Sequence, residues 1–305
     1  MRSSELKRKN MESGANEILA RQLEASGQYK VLRRIVPHSA GFRPDSGRKI
    51  GVVLDVETTG LDTLRDEVIE LAMLKFAYSD DDRILGLVDV FQALQEPSSP
   101  IDPKITALTR ITNEMVKGQA IDPQAVDRFV TDSNVILAHN GDFDRKFAER
   151  SWPVFAQKPW ACSSSGIAWR EYGFASAKLD QLLAAYGLFY DAHRATDDCQ
   201  ALLTLLDLAL PRVSATILAS VLERARRKTI RIWAQRAPFD LKETLKRRNY
   251  RWNDGTDGRP KSWYRDIEEE TLESELRFLE SEIYQFDADI LRQEFTALDR
   301  YSNRI

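Results

Sequence analysis

The sequence predicts an α/β domain over residues 50–212, with an N-terminal extension over 1–49 and a small basic α+β module carrying an acidic helical tail over 213–305. Three observations carry this prediction. Residues 50–56, IGVVLDV, are a short continuous apolar run with an acid near its end, the pattern of a buried strand that delivers side chains at its carboxyl end. Residues 67–78 and 83–94 are two longer β-rich runs separated by the turn-forming cluster from Ser79 to Asp82. Beyond Pro100, helical spacings surround one more apolar strand, residues 134–140, until Pro211 ends the pattern.

In the extension, residues 1–15 are polar. Apolar residues from Ala15 to Leu23 then recur at helical spacing until Gly27 stops them. Residues 29–36 are rich in β-branched side chains, which predicts a short strand before Pro37. Within the domain, DPKITALT places Pro103 in a first helical turn, and Gly118 closes TNEMVKG. Residues 142–150, 178–187 and 195–210 read as helices, the last with the clearest apolar face. Residues 214–228 add an amphipathic helix that leads into the basic stretch.

With 43% hydrophobic and 30% charged residues, the 305-residue chain has the balance of a globular protein with a sizeable core. No apolar stretch approaches the roughly 18 residues of a membrane span, and the N-terminus lacks the apolar segment of a secretory signal. Cys162 and Cys199 are too few for a disulfide framework or a Cys/His zinc site, so a reducing cytoplasm fits. The net charge of -3 hides a segregation: residues 1–49 carry +6, 50–221 carry -10, 222–265 carry +9 and 266–305 carry -8. An acidic centre between basic flanks suits a polyanion gripped at its sides and met by cations in the middle, although solvated helix faces would give the same counts.

Three acidic blocks stand out. Asp55 and Glu57, in Asp55-Val56-Glu57-Thr58-Thr59-Gly60, project to one face of a strand end by alternation. Two carboxylates there repel unless they share hard divalent cations such as magnesium, or unless the pair is an ordinary acidic turn. Asp144, in His139-Asn140-Gly141-Asp142-Phe143-Asp144, arrives at a second strand-to-helix junction. His193 and Asp198, in HRATDD, open the last long helix, where a neutral imidazole could accept a proton from water.

In this order, the blocks LDVETTGLD, AHNGDFDRKF and HRATDD, with KLDQLLAAYGL between the last two, resemble the exonuclease motifs of the DEDDh superfamily across roughly residues 50–210. That superfamily includes the proofreading epsilon subunit of bacterial replicative polymerase and ribonuclease T. The resemblance implies an RNase H-like domain with a central mixed sheet flanked by helices. It also implies metal-dependent 3′→5′ removal of nucleoside 5′-monophosphates from nucleic-acid 3′ ends.

Carried over residue by residue, it makes Asp55, Glu57, Asp144 and Asp198 the ligands of two Mg²⁺ ions, with Mn²⁺ able to substitute, and His193 the general base. Thr58 and Leu61 match positions near the terminal nucleotide, with Leu61 wedging a base. Phe143 is a candidate for stacking or for the core. Arg110 stands where many relatives have glycine, a place for phosphate contact or solvent. Asp142 is an additional acid that either tunes the site or caps the helix, and Asp197 belongs on the surface.

In the basic stretch, aromatic and cationic residues interleave. FDLKETLKRRNYRWN followed by KSWY resembles, more weakly, small bacterial modules with a lysine-rich helix and a hairpin carrying paired tryptophans. The turn cluster 253–258 fits that hairpin. Arg247, Arg251, Trp252 and Trp263 are therefore candidates for gripping phosphates and stacking bases, the alternative being a small tryptophan core. The tail from Asp266 to Tyr284 reads as an amphipathic helix able to pack on the basic module. The expected substrate is single-stranded DNA, with RNA trimming or a non-catalytic scaffold as alternatives, and a polymerase or repair protein is the expected partner.

Overall fold

The computed structural model describes residues 2–304. The extension forms helix α1 (Arg2–Ala25), which starts well before the apolar spacing does, and strand β1 (Arg33–Arg34). The domain then runs β2 (Lys49–Thr58), β3 (Val68–Tyr78), β4 (Ile84–Leu94), α2 (Pro103–Thr109), α3 (Asn113–Val116), α4 (Pro123–Val130), β5 (Val135–Ala138), α5 (Gly141–Ser151), β6 (Trp160–Cys162), α6 (Leu179–Ala185), β7 (Leu188–Phe189), α7 (Ala195–Asp207) and α8 (Ile217–Arg226). The C-terminal module comprises β8 (Thr229–Ala234), α9 (Lys242–Arg247), β9 (Arg251–Asn253), β10 (Ser262–Glu268), α10 (Leu272–Phe278), a π-helical continuation (Leu279–Tyr284) and β11 (Leu291–Phe295).

The main sheet has the order β4-β3-β2-β5-β6. β2, β3 and β4 are antiparallel neighbours, whereas β2, β5 and β6 run parallel. Helices cover both faces, giving the mixed sheet of an RNase H-like fold. Alternation along β2 assigns the faces. Val52, Leu54 and Val56 pack with Val126, Phe129 and Phe147 from α4 and α5 on one side. Val53 packs on the other side with Leu202, Leu206 and Leu218 from α7 and α8. Caps fix the short helices: the side chains of Asp102 and Asp122 accept from Lys104 and Gln124 N–H, each ahead of a first-turn proline.

Composition concealed two elements. TIRIWA, at the edge of the basic stretch, is the buried central strand β8, and Ile230 and Ile232 anchor the module core with Leu245, Leu279 and Ile283. The expected helix from Asp266 begins only at Leu272, because Asp266–Glu268 continue β10 against β8. The resulting sheet, β11-β8-β10-β9, is antiparallel throughout. The Glu275 carboxylate accepts from both Arg248 and Arg265, so the acidic tail does pack on the basic module.

The last residues return to the exonuclease-like domain. Trp160 N–H donates to Ala297 O at 2.7 Å. Arg145 of α5, wholly buried, donates to Ala297, Leu298 and Arg300 carbonyls and pairs with Glu149. Among the described residues, no helix is long and apolar enough to cross a membrane.

A candidate metal centre at the carboxyl end of β2

Asp55 and Glu57 leave β2 on the α7 side of the sheet, and Asp198 reaches them from the first turns of α7. One carboxylate oxygen from each of the three lies within 4.8 Å of the others. Asp144 stands outside that set. It is 2% exposed, in the first turn of α5, and its Oδ1 accepts from Val56 N–H at 3.4 Å, so it adjoins the strand between the other two acids.

Burial is the first reason these carboxyls resist ionisation, and at Asp55 and Glu57 mutual repulsion is the second. Asp55 is pushed well above the usual range by burial, then by the charges of Asp144, Asp198 and Glu57. Glu57 rises to about 8 and Asp144 to about 7, both through burial first. Asp198 is also raised by burial, against opposing hydrogen bonds from Tyr190 and the His193 backbone. A set of hard oxygen donors that repel one another at this range fits divalent cations of the magnesium type.

Asp198 organises the approach to α7. Its Oδ1 accepts from Tyr190 Oη at 2.7 Å, and its Oδ2 accepts from the N–H groups of His193 at 2.9 Å and Arg194 at 3.2 Å. The latter bonds hold His193 at φ 71°, a left-handed conformation uncommon outside glycine, with its imidazole exposed at the rim. Arg110, also left-handed at φ 63°, ends α2 and donates Nη2 to Ala192 O at 2.7 Å. The glycine expected at that position therefore has a backbone reason, and the arginine side chain braces the loop that carries His193.

Thr58 is buried, its hydroxyl donating to Gly60 O, whereas Leu61 is 83% exposed beside it. Asp66 ties down this loop by accepting from Thr59 Oγ1 and Asp62 N–H. A Cβ at Gly60 would overlap the Asp66 carboxylate, so a larger residue there would displace the side chain that ties down the loop.

Phe143 packs partly into the core, 4.9 Å from Phe147. Asp142 neither joins the acids nor caps the helix, since it pairs with Lys146 one turn along. Asp197 is exposed, as the sequence implied. His139 is a structural histidine: burial lowers it to about 4, and its ring bonds Ser163 and the Ala177 carbonyl. In the C-terminal module Trp252 and Trp263 are opposite partners on β9 and β10, their rings 5.5 Å apart. Trp252 is half-exposed, Arg247 is exposed, and Arg251 lies 3.3 Å from Asp266. The structure thus keeps these four candidates on the module and the acids on the domain.

Glu70 belongs to none of the three acidic blocks. It is fully buried on β3, directly opposite Glu57, and accepts from Arg194 Nη2 at 2.8 Å, Gln92 and Ala195 N–H. Burial raises its carboxyl, but these bonds outweigh burial and leave it below the usual range. An acid inside a mostly apolar strand is the available signal. Glu70 with Arg194 locks the start of α7, and hence Asp198, to the sheet. Arg194→Ala is expected to cost about 2–4 kcal/mol by stranding that carboxylate. Adding Glu70→Gln should recover part of the loss in thermal melts, and strictly additive effects would show that the pair is uncoupled.

The family model for exonucleases of the ribonuclease T type matches residues 52–206. PolC-type DNA polymerase III of Caldanaerobacter subterraneus subsp. tengcongensis is 32% identical over 139 residues, 41% of this chain and 9% of its own length. The Thermotoga maritima enzyme is 32% identical over 161 residues, 49% of this chain and 11% of its own. The chain therefore aligns with only about a tenth of these curated relatives. Similar solved structures include E. coli exonuclease I with a dA16 oligonucleotide, at TM-score 0.48 and 14% identity, covering 72% of this chain and 63% of that one. Exonuclease X with 5′-overhanging duplex DNA has TM-score 0.40 and 23% identity, covering 57% and 90%. The family match, spanning half the chain and all three acidic blocks, places this protein in the DEDDh, DnaQ-like 3′→5′ exonuclease superfamily.

Proposed function

We propose that the protein is a metal-dependent 3′→5′ exonuclease that hydrolyses phosphodiester bonds at the 3′ ends of single-stranded DNA and releases nucleoside 5′-monophosphates. The observation that carries this reading is the convergence of Asp55, Glu57 and Asp198 within 4.8 Å, with Asp144 against the same strand. These four carboxylates would hold Mg²⁺, or Mn²⁺ in its place. Bound divalent cations supply Lewis-acid chemistry, neutralising the phosphate and the leaving 3′ oxygen and acidifying the attacking water.

His193, exposed at the rim and fixed through its own backbone to Asp198, takes the proton from that water as general base. Leu61, projecting from the loop after β2, wedges the terminal base, and Thr58 shapes the floor beneath it. Residues 50–212, with α8 packed on their core, are the catalytic domain. Arg247, Arg251, Trp252 and Trp263 give the C-terminal module a grip on the strand. The similarity to PolC-type polymerases favours DNA and a replication or repair setting, with a polymerase as the corresponding partner.

The test is degradation of 5′-labelled DNA and RNA strands of equal length and sequence during Mg²⁺ and Mn²⁺ titration. A stepwise ladder from the 3′ end, with DNA consumed faster, is the expected result. Faster loss of RNA would reassign the substrate, and products other than 5′-monophosphates would overturn the mechanism.

A further inference from the structure

We propose that a second, phosphate-binding site lies in the cavity where the C-terminal module meets α5. The proposal rests on the nucleic-acid reading above for the source of its ligand. The cavity has a volume of about 660 Å³, within the usual range for ligand sites. Lys146, Arg224, Arg231, Arg251, Arg259 and Arg300 line it, and four carboxylates pair with them: Asp142 with Lys146, Asp266 with Arg231 and Arg251, Glu268 with Arg224 and Asp257 with Arg259.

This positive excess is built in rather than left on a flexible surface. Arg231 and Arg300 are each 7% exposed. Arg300 uses its guanidinium on Thr229 Oγ1 and on the carbonyls of Arg224, Ala225 and Arg227, without a carboxylate partner among the described residues. The Nη1 atoms of Arg224 and Arg231 are buried without any hydrogen-bond partner. Their charges are already met by Glu268 and Asp266, so what is left over is one buried donor atom on each, a costly state that an anion drawn into the cavity would relieve.

The aromatic residues indicate which anion. The Arg231 guanidinium lies 4.8 Å from the ring centres of both Tyr264 and Phe295, and Arg251 lies 5.2 Å from Tyr264. These rings hold guanidiniums, and Phe295 is buried, so they are not available to stack a base. The chemistry recognised is therefore a phosphate, with Arg forks as donors and no base preference. On α5 the cavity residues Asp142 and Lys146 lie on the face opposite Asp144, because two residues span about 200° of helix. A strand bound at the acids and led around this helix would reach the cavity, making it a holding point for backbone phosphates away from the 3′ end.

Two sources share this chemistry, a strand phosphate and a free nucleoside monophosphate. The experiment uses full-length protein in EDTA, so that binding is read without cleavage. It compares Arg224→Gln/Arg251→Gln with the charge-matched control Arg83→Gln/Arg128→Gln, in affinity for a labelled dT20 strand across a salt series and in the thermal shift produced by dTMP.

If strand phosphates occupy the site, the cavity variant binds dT20 roughly tenfold more weakly than the control, and its log-affinity against log-salt slope falls by about 1.4. If the occupant is a free nucleotide, dT20 binding is equal but dTMP stabilises the control and not the cavity variant. Equal behaviour of both variants in both assays overturns the site. Lys146→Gln alone, on α5 and outside the four residues that grip the strand, carries the comparison if the double variant does not fold. A parallel Mg²⁺ cleavage assay separates failure of this site from failure of the exonuclease reading, since wild-type protein inactive on every strand would sink only the latter.

Discussion

Asp55→Asn is expected to lower the rate of 3′-end hydrolysis by at least about 10³-fold, since it removes the negative charge of one of three carboxylates that meet within 4.8 Å and would share cations. The same change should leave the fold intact, because an amide fills the space of the carboxylate without its charge. Thermal melts give a second readout. At a metal concentration 100 times the dissociation constant, the wild type should gain about 2.7 kcal/mol of stability, and the variant little or none. The physical basis is the buried, mutually repelling set of acids, which cations neutralise and the folded chain alone does not. Retention of more than a tenth of the wild-type rate, together with an undiminished metal-induced shift, would remove these carboxylates from the mechanism.

Arg145→Ala should be the most damaging single change for stability, costing about 3–5 kcal/mol. Arg145 is wholly buried, lies 5.5 Å from the Trp160 ring, and binds three carbonyls of the C-terminal segment. Its loss would release the tail and leave Glu149 with only Ser302 and Arg304. Because Asp144 is the adjacent residue on α5, the acidic site should loosen as well. Truncation after Phe295 is expected to reproduce both effects by removing the carbonyls instead of the donor. A melting temperature within a degree or two of wild type for either variant would show that the tail is a passive appendage. By the same reasoning, deleting the whole module would remove this latch together with the basic surface, so point substitutions are the cleaner probe of nucleic-acid binding.

The acids were legible in the sequence because each block sits at the end of a short, strongly apolar strand or the start of a helix, where local pattern fixes direction. Alternation alone puts Asp55 and Glu57 on one face, and the hairpin of Trp252 and Trp263 follows from its turn cluster. Glu70 and Arg194 were not legible as a pair, since 124 residues separate them and only the β3-to-α7 packing brings them together. Tyr190 was hidden for a related reason: its hydroxyl finds Asp198 only once the loop before α7 has turned back. The strand at Thr229 was obscured by its basic neighbours, whose charges point away from the face that Ile230 and Ile232 bury.

By itself, the sequence determined the α/β class, the three acidic blocks, the candidate base and the segregation of charge, all set by periodicity and side-chain chemistry over a few residues. Tertiary structure alone decided that Asp144 meets the backbone of Val56 between the strand's two acids, that a buried arginine clasps the C-terminal tail, and that six cationic residues surround one cavity. Those are contacts between segments far apart in the chain, and the burial that gives each its energy exists only after the segments have packed.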